Sequence, residues 1–161
     1  MQIEMTIKGL MLDPVTNTPI VVLQERDADR VLPIWVGVVE ANAIALQVEN
    51  IATARPMTHD LLRNVICDLD GTVDRIVVSD LREQTFYAVI HINRHGESLR
   101  IDARPSDAIA LALRARAPIM VEDVVFEHAR LTDTSADTRD PAQLHAWLDN
   151  MDPAAMGKYK M

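Results

Sequence analysis

Ala-Arg-Pro occurs twice in the chain, at Ala54-Arg55-Pro56 and Ala103-Arg104-Pro105. Each copy runs into a hydroxyl residue and an aspartate: Thr58 and Asp60 after the first, Ser106 and Asp107 after the second. Such a run sets a guanidinium beside the free N–H groups of a helix start, with Thr58 and Ser106 as the expected N-caps. The helix dipole and the fork of arginine donors together favour a phosphate or a carboxylate there. If both helix starts converge, Arg55, Arg104, Thr58 and Ser106 make one phosphate-binding set with His59 beside it. His59 is then the side chain suited to acid–base work, because an imidazole titrates near neutrality. The same spacing has a structural reading. Each arginine pairs with a neighbouring acid, Asp60 or Asp107, and merely fixes the course of the chain, while His59 caps or packs at a helix start.

Two further carboxylates stand at informative places. Glu40 falls in the first turn of an apolar helix, where it either complements the dipole or is a buried acid that requires an arginine partner. Asp80 directly follows a strand, a position that suits a ligand, a catalytic carboxylate or a turn starter alike. His91 reads as a strand-face residue and His95 as a solvated turn residue. No CxxC, Walker-type or GxGxxG pattern occurs, and there is no serine elbow.

The elements that must carry these residues follow from periodicity. Ile3, Met5, Ile7 and Gly9 alternate with Glu4, Thr6 and Lys8, the two-residue period of a half-buried strand. A turn over residues 13–19 leads to Ile20-Val21-Val22-Leu23, read as a central strand. Val31 to Val36 follows as a strand whose Pro33 belongs at an edge or bulge. Gly37 opens a mostly apolar helix through Ile51, and a second helix holds Leu61, Leu62, Val65, Ile66 and Leu69. An antiparallel meander comes next, with strands over 73–79, 85–93 and 98–103 joined by turns at 80–84 and 94–97. The helix after Ser106 (Ala108, Ile109, Ala110, Leu111, Ala112, Leu113) has no water-facing stripe, which marks it as the buried centre of the core. Residues 118–121 form a short strand, and residues 122–128 one or two helical turns.

At 161 residues the chain suits one domain with a tail. The expected division is a domain over 1–131, a polar linker over 132–140 and a C-terminal amphipathic helix and tail over 141–161. In that last segment Leu144, Trp147, Leu148 and Met151 fall on one helical stripe. The expected class is α+β: a mixed, largely antiparallel sheet with packed helices, among them the buried Ala-rich one. The single cysteine, Cys67, excludes an internal disulfide, and with no signal-like start or membrane-length apolar run a cytoplasmic address is expected. A net charge of −8 is a poor footprint for holding nucleic acid by phosphate contacts alone, so such an activity needs a local basic site or a metal ion.

Several blocks recur in a known order. They are Leu32-Pro33-Ile34-Trp35-Val36-Gly37 with Glu40-Ala41, Arg55-Pro56-Met57-Thr58-His59-Asp60-Leu61, Asp80-Leu81, Thr85-Phe86-Tyr87-Ala88, and the run from Asp102 to Ala112. Over roughly residues 1 to 130 the chain resembles the bifunctional nuclease (BFN) domain family of bacteria and plants. The resemblance implies a compact α+β domain, a homodimer, and a nuclease activity on RNA and DNA. The polar positions of these blocks coincide with the residues singled out above. The leading expectation is a phosphodiester hydrolase acting on single-stranded RNA or DNA. In it Arg55 and Arg104 hold the phosphate with Thr58 and Ser106, and His59 is the acid or base. Glu40, Asp60, Asp80 or Asp107 would bind Mg²⁺ or Mn²⁺ or activate water, with Asp80 and Glu40 as the metal pair. The alternative is a non-enzymatic dimeric module that binds a small anionic ligand or a protein partner.

Overall fold

The computed structural model describes residues 1–133. The expected linker from 134 onward and the amphipathic segment over 141–161 lie outside the described residues. In chain order the elements are β1 (Gln2–Leu12), β2 (Pro19–Glu25), β3 (Val31–Trp35), α1 (Val38–Val48), α2 (Thr58–Asp68), β4 (Gly71–Arg82), β5 (Thr85–Arg94), β6 (Glu97–Ala103), α3 (Pro105–Ala115), β7 (Ile119–Glu122) and α4 (Asp123–Asp133).

The strands form one sheet in the order β3-β2-β1-β7-β4-β5-β6. Neighbours pair antiparallel except β4 and β7, which run parallel, so the sheet is mixed and the α+β class holds. Two hairpin-rich halves are thus joined by a single late strand. Hydrophobic runs make the inner strands: Val21 and Leu23 of β2 and Val121 of β7 are fully buried. Pro33 sits in β3, an edge strand, where the missing N–H leaves no gap in the ladder.

Helix α3 is the centre of the molecule. Ala108, Ile109, Ala110, Leu111 and Ala112 are all fully buried, and the helix packs on α1, α2, β4 and β5. Its alanines permit that crowding, because a side chain of one carbon lets neighbouring elements close in on one helix. By contrast α2 buries none of its residues completely, and Leu61, Val65 and Leu69, four residues apart, stay exposed along it.

Four local expectations are corrected. The N-cap of α2 is Met57 with Thr58 as the first helical residue, and the N-cap of α3 is Arg104 with Pro105 as the first. Proline prefers that first position, since its missing N–H is unpaired there anyway, and this puts Ser106 at the second helical position instead of the cap. The expected five-residue turn at 80–84 is a two-residue one. β4 continues to Arg82, and Glu83 and Gln84 turn the chain with φ of 47° and 62°. Positive φ at both central residues matches the twist of the flanking strands, so the hairpin adopts it without glycine. Finally, α4 is an eleven-residue helix ending at Asp133, which overruns the expected start of the linker.

Candidate active site

The N-terminal ends of α2 and α3 meet through His59 and Asp107, and α1 contributes a third end through Glu40. Arg104, the N-cap of α3, donates from Nε to Asp107 Oδ2 at 2.8 Å and from Nη1 to Glu40 Oε1 at 2.9 Å. His59 Nε2 lies 2.9 Å from the other oxygen of Asp107. A continuous chain of groups therefore runs Glu40–Arg104–Asp107–His59.

Each member is held by the helix that carries it. Glu40 sits in the first turn of α1 and curls back over Gly37, where a Cβ would collide with Glu40 Oε2. Only glycine leaves that room. Asp107 is in the first turn of α3, where the helix dipole favours its charge. Burial pushes the Asp107 pKa up, but hydrogen bonds from Arg104 and His59 outweigh it, and the carboxyl ends below the ordinary aspartate range. The paired carboxylates in turn raise the Arg104 pKa, Asp107 foremost. Exposure is graded across the set: the His59 side chain is 13% exposed, Glu40 23%, Asp107 31% and Arg104 64%. The imidazole is sheltered and the guanidinium faces water.

Asp60, next to His59, belongs to a different set. Its Oδ1 accepts from Arg114 Nε at 2.7 Å and its Oδ2 from the Met57 N–H at 2.8 Å. Arg114 is only 2% exposed and spends its remaining donors on the carbonyls of Ala110 and Ala43. Burial raises the Asp60 pKa, yet the Met57 N–H and Arg114 lower it further than burial lifts it. Arg114 thus ties α1, α2 and α3 together from within the core. Its importance was not drawn from the sequence. The available signal was a lone charge closing an otherwise apolar run, which has to find an acid once it is buried.

Arg55 stands apart from the rest of the expected phosphate set. Arg55 lines a cleft with Asp60, Arg63, Asn64 and Arg114, and Arg104, Thr58 and Ser106 are not part of that lining. Thr58 is exposed, Ser106 is buried, and neither makes a side-chain cap hydrogen bond. Asp80 shares no contact with Glu40: it binds Arg82, the Leu81 N–H and His128 at the far end of β4. His91 is a buried strand residue and His95 an exposed turn residue near Asp70, as expected of both.

The carboxylates expected to bind Mg²⁺ or Mn²⁺ are all engaged elsewhere: Glu40 with Arg104, Asp60 with Arg114, Asp80 with Arg82, Asp107 with Arg104 and His59. Among the described residues, no three His, Cys, Asp or Glu side chains gather in a set that could hold a metal ion. The donor set as placed does not fit a protein-held divalent ion. What it does offer is an imidazole oriented by a carboxylate, with a largely exposed cation on the same carboxylate.

Sequence comparison places the fold. The bifunctional nuclease domain model matches residues 21–134. The chain belongs to the bifunctional nuclease domain family. An uncharacterized protein of Mycobacterium tuberculosis is 41% identical over 128 residues, covering 80% of this chain and 76% of that protein. Bifunctional nuclease 2 of Oryza sativa is 28% identical over 107 residues, covering 64% of this chain and 33% of its own length. Bifunctional nuclease 1 of Arabidopsis thaliana is 26% identical over 116 residues, covering 70% of this chain and 36% of its own. The domain thus matches about a third of each plant protein. No helix among the described residues is long and apolar enough to cross a membrane.

Proposed function

We propose that this bifunctional nuclease domain hydrolyses phosphodiester bonds of single-stranded RNA or DNA, with His59 as the acid–base group, Asp107 as its orienting partner and Arg104 as the phosphate contact. The observation that carries the reading is the His59–Asp107–Arg104–Glu40 chain at the joined helix ends. With Nε2 bonded to Asp107, the His59 ring is fixed and its Nδ1 has no hydrogen-bond partner among the described residues. That nitrogen takes a proton from an attacking water and returns one to the departing oxygen as the P–O bond breaks. Arg104 Nη2, likewise without a bond among the described residues, neutralises charge building on a non-bridging phosphate oxygen. Glu40 keeps Arg104 aimed.

The test is direct. End-labelled single-stranded RNA and DNA are incubated with the purified protein in Mg²⁺, in Mn²⁺ and in EDTA, and the expected result is shortened product in at least one condition. Oligonucleotides left intact in all three overturn the reading.

One observation favours a second reading. Asp107 spends both oxygens, and Arg104 two of its nitrogens, on partners within the domain. A network so occupied also suits a module that binds a small anion at Arg104 without cutting anything. Calorimetric phosphate binding with no cleavage in the same assay selects it.

A further inference from the structure

Helix α2 is flanked by two clefts that the His59 set does not use. One, of about 300 Å³, is lined by Arg55, Asp60, Arg63, Asn64 and Arg114. The other, of about 670 Å³, shares Arg63, Asn64 and Arg114 and continues past the end of α2 to Gly71, with Arg116 on its wall. Arg55 precedes α2, Arg63 lies within it, and Gly71 follows it, so the joined clefts track a helix of eleven residues, about 16 Å long.

The charges in this groove are unusual for the molecule. The chain as a whole carries −8, yet the lining holds four arginines against Asp60 and Asp68. Asp60 is neutralised by Arg114. Arg55, Arg63 and Arg116 take part in no ion pair among the described residues. Arg63 is nonetheless held in place, donating from Nε and Nη2 to the neutral Oδ1 of Asn64 at 3.3 and 2.8 Å. Its position is fixed without an ion pair of its own, and its charge adds to that of Arg114 in holding the Asp60 pKa down.

We propose that this groove binds the sugar–phosphate backbone of a single-stranded nucleic acid, with Arg55, Arg63 and Arg116 each meeting a phosphate. A small anion is best held by cations that converge on a point; here Arg55 lines one cleft, Arg116 at the end of α3 lines the other and Arg63 lines both, an extended arrangement like that of successive phosphates along a strand. The proposal rests on reading the domain as one that handles nucleic acid, but not on His59 being catalytic.

Cys67, the chain's one cysteine, is exposed and lines the larger cleft, so it reports on occupancy. Its alkylation by iodoacetamide is timed with and without a short oligodeoxythymidylate or oligouridylate, in wild type and in His59→Ala. The expected result is at least a tenfold slowing in both proteins. Arg63→Ala and Arg116→Ala, checked for folding by thermal melting, weaken binding. Each also makes the slope of log affinity against log salt shallower by about 0.7, one phosphate's share for a single strand. Arg55→Ala, outside any element, does the same and serves if either of the other two fails to fold. Unslowed alkylation while fluorescence anisotropy shows the oligonucleotide bound overturns the proposal, as does no binding at all. Equal protection by inorganic phosphate at matched phosphate concentration overturns it too, by reducing the groove to a single-anion pocket. Protection without any cleavage by wild type sinks the nuclease reading and leaves the groove standing; cleavage without protection does the reverse.

Discussion

His59 and Asp107 stand forty-eight residues apart in the chain and 2.9 Å apart in space, joined by Nε2 and Oδ1. Their meeting ties the first turns of α2 and α3 together and orients the imidazole ring at the same time. Asp107→Asn keeps the volume and one acceptor but removes the charge that orients the ring and holds Arg104. The expected outcome is a fall of about 10²-fold or more in the cleavage rate, in the range a positioned acid–base group contributes. Rates on a labelled single strand, with circular dichroism to confirm folding, check it.

Gly37→Ala reaches the same network from behind. A Cβ there displaces the end of the flexible Glu40 side chain, so Arg104 loses one of its two carboxylates. Because that pair is partly exposed, stability should change by less than about 1 kcal/mol. The cleavage rate should drop while the melting temperature holds, and a rate equal to wild type would show that Glu40 does not position Arg104.

Arg114 and Asp60 should dominate stability instead. Removing either partner of a pair whose arginine is 2% exposed leaves the other without its counter-charge, at a cost of about 3–5 kcal/mol for a fully buried pair and less in proportion to Asp60's 22% exposure. Arg114→Met should therefore lower the denaturant midpoint strongly, and Arg114→Met with Asp60→Leu should recover much of the loss. Urea titrations of the single and double variants read this out.

The acid side of the stability profile follows from three carboxyl groups. Burial raises the Asp60 and Asp107 pKa values, but their hydrogen-bond partners lower them further. Asp80 is lowered mainly by Arg82, and all three lie below the ordinary aspartate value. A carboxyl with a depressed folded-state pKa stabilises above its unfolded value, about 3.9, and loses that contribution as pH falls through the folded one. The urea midpoint should therefore show no loss from these groups between about pH 7 and 5 and should fall below about pH 4. Asp60→Asn should flatten that fall; an unchanged acid limb in the variant would contradict the assignment.

Much of this was legible in the residues themselves. The proline in β3 and the apolar run of α3 each name an element and its burial, and the alternation from Ile3 names β1, though its burial pattern holds only to Met5 because the pairing register with β2 shifts between Ile7 and Gly9; side-chain period and backbone chemistry act locally. Pairing partners are not local. Nothing in Ile119-Met120-Val121-Glu122 says that it will lie parallel to β4 and between the two halves of the sheet. The helix caps fall one or two residues before the expected hydroxyls, Met57 ahead of Thr58 and Arg104 ahead of Ser106. In α3 the reason is that proline's claim on the first helical position outranks a nearby hydroxyl. At the site, the two Ala-Arg-Pro runs look alike in sequence. Arg104 and Arg55 nevertheless face different surroundings, since Asp60, the acid available to the first run, is taken by Arg114 from the core.

The decisive measurement sets the rate of phosphodiester cleavage beside the melting temperature for wild type, His59→Ala and Arg104→Ala. Rates lower by about 10²-fold or more are expected in both variants. For Arg104→Ala, whose side chain is 64% exposed, the melting temperature should also stay within a few degrees of wild type. Variants that cleave as fast as wild type, or that lose cleavage only in step with loss of folding, would refute a catalytic role for the His59–Asp107–Arg104 chain.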